Sequence, residues 1–177
     1  MEISCGQGSE GNVKRKSFED MDCAVALALE EVGEWWSLLI IRDALQGSTR
    51  FEQFRSSLQI SPTMLTRRLN ELVSSGLLTK VPSALKAGTE EYRVTDKGRD
   101  LSPVLVTLFA WGRKHAGKRK WGIDLIDRKT GKQVAPVVID RNTGHVISRE
   151  THAFVQGDSP SQVTAERLPK KADALVR

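Results

Sequence analysis

Ile60-Ser-Pro-Thr-Met-Leu-Thr-Arg-Arg-Leu-Asn-Glu-Leu-Val-Ser-Ser-Gly76 carries both the start and the stop of a helix. Ser61 suits the N-cap, and Pro62 suits the first helical position, where its missing N–H costs nothing. Gly76 can close the helix in a left-handed conformation. Leu65, Leu69 and Leu72 recur on one side and form an apolar stripe. At about 100° per residue, Thr63, Arg67 and Asn70 lie opposite that stripe, with Met64, Thr66 and Arg68 on its flanks. The outer face is polar and, near its N-terminal end, cationic. Such a helix fits the major groove, where an Arg fork matches guanine and Asn reads adenine. The same pattern also fits a solvated surface helix, so the flanking sequence decides.

Working back along the chain, Arg50-Phe-Glu-Gln-Phe-Arg-Ser-Ser-Leu58 forms a short helix capped by Ser48 or Thr49, with Phe51, Phe54 and Leu58 turned inward. Only Gln59 and Ile60 separate it from the next helix, so the two must cross steeply. A short helix, a tight turn and a second helix with a polar outer face is the helix-turn-helix plan. Before it, Glu34 to Gln46 reads as a core helix ended by Gly47. Asp22 to Val32 reads as an Ala- and Leu-rich helix ended by Gly33 and apolar nearly all round. That first helix must be covered on more than one side, by the core and by a second subunit.

Forward of Gly76 the pattern becomes extended. Leu77–Val81 and Glu90–Thr95 read as two strands joined by a loop of turn composition, placed where a winged helix-turn-helix carries its wing. Lys80, Lys86 and Arg93 put positive charge there. Thr95 caps a long helix over Asp96–His115, whose stripe of Leu101, Val104, Leu105, Leu108 and Trp111 is half of a dimer interface. The run Arg113–Lys120 is densely basic, consistent with a solvated helix end or a phosphate contact.

From Trp121 the sequence repeats itself: Ile126-Asp-Arg-Lys-Thr-Gly131 is echoed by Ile139-Asp-Arg-Asn-Thr-Gly144. Each unit has hairpin-turn chemistry. Strands over 122–127, 133–140 and 145–154 make a three-stranded meander, with Asp127 and Asp140 at turns and no nucleophile or base beside them. The fold class is therefore α+β and mainly helical: a winged helix-turn-helix domain, a long C-terminal dimerisation helix and a small β-meander extension. In domain terms, 1–17 is a mobile tail, 18–117 the DNA-binding and dimerisation domain, 118–156 the extension and 157–177 a tail with little stable structure.

With 177 residues and a net charge of +5, the chain supports one domain with a core and tolerates a polyanionic partner. No stretch is apolar enough to span a membrane, and the polar first 20 residues make secretion unexpected; a cytoplasmic location is the simplest account. Cys5 and Cys23 are too few for a disulfide framework, and His115, His145 and His152 have no metal-ligand spacing with them, so neither a metal nor a cofactor is expected. No catalytic triad, phosphate loop or dinucleotide fingerprint is present, which ranks an enzyme last.

Residues 22–116 resemble the HxlR family of bacterial transcription regulators, relatives of MarR. The resemblance rests on Cys23 before an apolar helix, Gly33-Glu-Trp35, Leu38-Leu-Ile-Ile-Arg-Asp-Ala-Leu45 and Gly47-Ser-Thr-Arg-Phe51. It continues through Ile60–Leu69, Glu71-Leu72, Gly76-Leu77, Glu91-Tyr92, Thr95-Asp-Lys-Gly98 and Trp111-Gly112. Two positions depart from the family pattern: Glu34, where a basic residue is usual, and Ala24, where proline often follows the cysteine.

The resemblance implies a homodimer on a palindromic double-stranded DNA operator, two recognition helices in successive major grooves, and wings on the flanking minor groove. Carried over by position, Ser61, Thr63, Met64, Thr66, Arg67 and Arg68 face DNA. Arg67, opposite the leucine stripe, is the foremost base reader; Arg50 is placed for phosphate and Lys86 for the wing contact. The resemblance also offers Cys23 as a sensor of quinones, aldehydes or oxidants, with Cys5 as a weaker resolving partner. A helix N-terminus favours a thiolate, whereas Asp20 and Asp22 oppose one, and a buried structural thiol is the competing reading. The expected function is a dimeric DNA-binding repressor gated by thiol modification or a small-molecule effector. The alternative is a winged-helix protein-association module without DNA function.

Overall fold

The computed structural model describes residues 21–33, 35–85, 87–117, 120 and 122–174. The expected N-terminal tail, Cys5, Glu34, Lys86 and the middle of the basic run lie outside the described residues.

Eight helices and one two-stranded sheet follow in order among these residues: α1 Ala24–Val32, α2 Trp35–Leu45, α3 Phe51–Leu58, α4 Pro62–Ser74, β1 Leu78–Pro82, β2 Glu90–Val94, α5 Asp96–Arg99, α6 Ser102–His115, α7 Gln162–Arg167 and α8 Lys171–Ala174. The core gathers one face of each of the middle elements. Ile40 and Ile41 of α2, Phe54 of α3, and Leu65, Leu69 and Leu72 of α4 are fully or almost fully buried, and Leu77, Leu78 and Val94 close the cluster from the sheet. Helix α2 is the hub and touches α3, α4, α6 and β2.

The junctions follow from local chemistry. The side chain of Gln53 caps α3, its Oε1 accepting from Thr49 N and Arg50 N at 2.9 Å each. Neither Ser48 nor Thr49 serves as the N-cap, which is Arg50. The turn into α4 places Gln59 at φ 51, the left-handed region, without a glycine. At the far end of α4, Gly76 has φ 72. Leu77 N donates to Leu72 O and Gly76 N to Val73 O, both at 3.0 Å, which is the Schellman closure. The strands pair antiparallel, Leu78 opposite Val94 and Pro82 opposite Glu90. Tyr92 N also donates to Thr49 O at 2.7 Å and ties the wing to the entry of α3.

The long helix expected from Asp96 to His115 is two helices. Pro103 has no N–H to give and its ring crowds the preceding turn, so the chain breaks between Arg99 and Ser102. Thr95 caps α5 as expected, accepting from Gly98 N at 3.1 Å, and also donates to Gly76 O at 2.6 Å.

The extension departs further from expectation. Its two Asp-Arg-Xaa-Thr-Gly units are turns: Asp127 accepts from Lys129 N and Thr130 N, and Asp140 from Asn142 N and Thr143 Oγ1. These backbone and hydroxyl bonds hold both carboxyls below their ordinary value. The three strands, however, shrink to two isolated bridges, Ile126 with Gln133 and Ile139 with Val146. Beyond 157, where little structure was expected, α7 and α8 form, and Asp22 binds Ser161 N and Thr164 Oγ1, each at 2.7 Å.

Among the described glycines, Gly98 has the tightest surroundings. A Cβ there would stand 2.3 Å from Leu77 O and 2.8 Å from Val94 Cγ1. Gly98→Ala is therefore expected to destabilise the domain by roughly 1–3 kcal/mol, read as a lower urea midpoint with unchanged slope.

Candidate DNA interface

The buried leucine stripe leaves one ridge of α4 in solvent. Ser61, Pro62, Thr63, Thr66, Arg67 and Asn70 are exposed, Met64 is half-buried, and Ser61 Oγ caps the helix by accepting from Met64 N at 3.3 Å. The expected outer face is thus in place with one exception. Arg68, expected to face DNA, is 2% exposed. On a helical wheel it sits only about 40° from Leu72, beside the stripe, so its side chain runs along the body of the protein.

The buried guanidinium has a role inside the helix. Arg68 Nη1 donates to Glu71 Oε2 at 2.6 Å, while Arg67 Nε donates to Glu71 Oε1 at 2.9 Å. One carboxylate is thereby held between a buried and an exposed arginine. Partial burial raises the Glu71 pKa, but the hydrogen bonds from Arg67 and Arg68, with their charges, more than offset this and leave it below its ordinary value. Arg67 therefore stands on the ridge in a set position. The sequence contained this clamp as Arg67-Arg68-Xaa-Xaa-Glu71, the helical spacing at which arginine and glutamate meet.

Around this ridge the supporting charges are arranged differently from a simple basic patch. Arg50 is exposed at the start of α3, and with Leu85 of the wing it lines an open groove of about 770 Å³. Lys80 and Arg93, counted above as positive charge on the wing, are paired with the wing's own acids: Lys80 with Glu90 at 3.3 Å and Arg93 with Glu91 at 2.7 Å. Glu91 is buried and also accepts from Ser83 Oγ at 3.0 Å, so it anchors the base of the wing loop. Sequence reasoning missed that anchor, and alternation along β2 gives no signal for it, since it places Glu91 with exposed Arg93 on the face opposite Val94. Lys86, the wing contact expected from sequence, lies outside the described residues.

Cys23 is the N-cap of α1, partly exposed and not in a disulfide. Its neighbour Asp22 is occupied by the C-terminal segment. The bonds from Ser161 N and then Thr164 Oγ1 hold the Asp22 carboxyl below its ordinary value.

A tri-helical core with its third helix laid open and a two-stranded wing beside it defines the winged helix-turn-helix class. Comparison with known proteins then fixes the family. The HxlR-like helix-turn-helix model matches residues 31–120, and the chain belongs to that family of MarR-like, DNA-binding transcription regulators. An uncharacterized HTH-type transcriptional regulator of Mycobacterium tuberculosis, Rv3095, is 37% identical over 126 residues, spanning 71% of this chain and 80% of that protein. Among solved structures, the candidate transcription factor PA1607 superposes with a TM-score of 0.72 at 34% identity, over 80% of this chain and 100% of its own. A second, PA1374 from Pseudomonas aeruginosa, has a TM-score of 0.55 at 40% identity, over 82% of this chain and 100% of its own.

Because the Glu71 pKa is lowered on folding, the clamp stabilises the protein above the unfolded value of 4.5 and ceases to do so as pH falls through the folded value. Glu71 is well exposed, which limits the effect. Glu71→Gln is expected to shrink the fall in Tm between about pH 6 and about pH 3 by roughly 1–3 °C, measured by thermal denaturation.

Proposed function

We propose that this protein is a homodimeric, sequence-specific repressor of the bacterial cytoplasm that binds a palindromic double-stranded DNA operator and has no enzymatic activity. The observation that carries this reading is the ridge of α4, where Thr63, Thr66, Arg67 and Asn70 stand in solvent directly over a fully buried leucine stripe. A helix so held can enter a major groove without loss of core packing. In this reading Arg67 contacts a base edge, Thr63, Thr66 and Met64 line the groove, Ser61 and Arg50 contact phosphate, and Lys86 meets the flanking backbone. Arg68 is reassigned from the DNA face to the support of Arg67. Repression follows from a dimer occupying promoter DNA that polymerase needs.

Two features support the dimer. Helix α1 shows Val25 and Leu29 to solvent on one side and Leu27 on the other, and one side of α6 shows Val104, Leu108 and Trp111. Exposed apolar helix surface of this extent marks an association surface. Two-fold pairing through it sets the two α4 ridges on half-sites about one helical turn apart. Effector gating is placed at Cys23, because modification at the start of α1 bears directly on that face.

The test is a titration of the promoter DNA beside the protein's own gene at two salt concentrations. Arg67→Ala is expected to lower specific affinity by about 1–3 kcal/mol and to relax base preference at one position of each half-site. Arg50→Ala is expected to weaken all sequences alike and to reduce the salt slope by about one. Specific binding unchanged by Arg67→Ala removes this ridge as the reading surface, and absence of specific binding to any promoter favours an association module. Loss of binding on quinone or aldehyde treatment in the wild type but not in Cys23→Ser supports thiol gating; indifference in both removes it.

A further inference from the structure

The chain exposes 14800 Å², whereas a folded monomer of 19.6 kDa exposes about 8,600 Å². Granting the 28 undescribed residues the full exposure of an unfolded chain still leaves an excess of roughly 2,500–3,000 Å². Much of the apolar part of it lies in the extension. Val137 and Phe154 are 66% and 86% exposed, and Val138, Ile139, Val146 and Ile147 are exposed as well. Two isolated bridges do not make a sheet with an inside, so these side chains find no cover in their own segment.

The path of the extension says where cover is to be found. It leaves the end of α6, where Arg113 pairs with Asp124 and donates to Ile123 O at 3.2 Å. It returns to the start of α1, where Asp22 receives Ser161 and Thr164. Its two ends are therefore fixed on the two helices whose apolar faces stand open. Part of the span between these anchors lies beside Phe109, Ala110 and Arg113 of α6, within reach of whatever docks on that helix.

We propose that residues 122–155 form an arm that packs on a second copy of this chain and closes over the α1–α6 face of the dimer, an inference that rests on the dimer reading above. The surface involved is of the right size. Obligate homodimers bury about 2,000–5,000 Å² or more in total, and an excess of roughly 2,500–3,000 Å² on each protomer, about 5,000–6,000 Å² for two, is ample for such an interface. The arm lies beyond the family model, which ends at residue 120, so it is an addition to the shared domain.

Two measurements on the full chain decide it. In the first, light- and heavy-nitrogen wild-type chains are mixed, re-equilibrated and cross-linked, and peptides are identified by mass. Mixed-mass links joining the extension to α1 or α6 peptides are expected. In the second, sedimentation across a dilution series compares the wild type with Val137→Glu/Phe154→Glu. Both side chains are exposed within the subunit, so its circular dichroism is expected to stay unchanged while self-association weakens at least about tenfold. A dimeric wild type whose extension links are all same-mass, with association unaffected by the double variant, overturns the arm and leaves the dimer standing. A wild type that is monomeric throughout overturns both. The cross-link pattern needs no variant and decides even if the charged residues disturb folding.

Discussion

Burial of Leu65, Leu69 and Leu72 against Ile40, Ile41 and Phe54 is the constraint on which the rest of the molecule depends. Each fully buried leucine contributes about 1.5–3 kcal/mol, so the stripe supplies an amount comparable with the whole net stability of a domain. Helix α4 therefore cannot turn about its axis to suit a ligand. Its outer residues are fixed by subtraction: whatever the stripe does not claim faces solvent. This is why the same helix can be both the centre of the core and the proposed reading surface.

Charge is handled more locally than the net value of +5 implies. The wing cations are paired with wing acids, and on α3 and α5 Arg55 meets Glu52 and Arg99 meets Asp96. Exposed pairs of this kind are worth little to stability, but they cancel charge at short range. Placement of a few cations on and beside the ridge of α4 then matters more than the sum. Arg67 illustrates the point, because its bond to Glu71 restricts where its guanidinium can go and lowers the entropy that any contact must overcome.

The legible part of the sequence was the part governed by near neighbours. Ser61-Pro62 and Gly76 marked α4 to within a residue, and Thr95 marked the start of α5, because caps and glycine turns act over a single turn of chain. The exposed ridge followed from the leucine period alone. Arg68 departs from the DNA-facing role that the resemblance implies, because the same period sets it beside Leu72, where its side chain is buried. Pro103 interrupts an otherwise continuous apolar stripe, because a missing donor and a steric clash outweigh periodicity at that point. The folding back of the tail was not legible at all. Asp22 and Thr164 are separated by 142 residues, and no local pattern encodes such a meeting. The meander failed for a related reason: alternation marks strands, but ladder length depends on partners that the alternation does not specify.

In the proposed dimer, the position of α2 explains how events at the apolar face would reach DNA. It touches α6 on one side and α3, α4 and β2 on the others, and its Ile40 and Ile41 have no exposed surface. A close-packed interior of this kind transmits displacement, since it has no voids in which to absorb it. In that dimer the spacing of the two ridges would be set where α1 and α6 meet their counterparts, whereas each ridge packs on α2 within its own subunit. On this reading, a change at the start of α1, or in the proposed arm, would alter the distance between the two α4 ridges and leave each helix intact. Groove spacing in DNA is fixed at about 34 Å, so even a small change in that distance takes one half-site out of register.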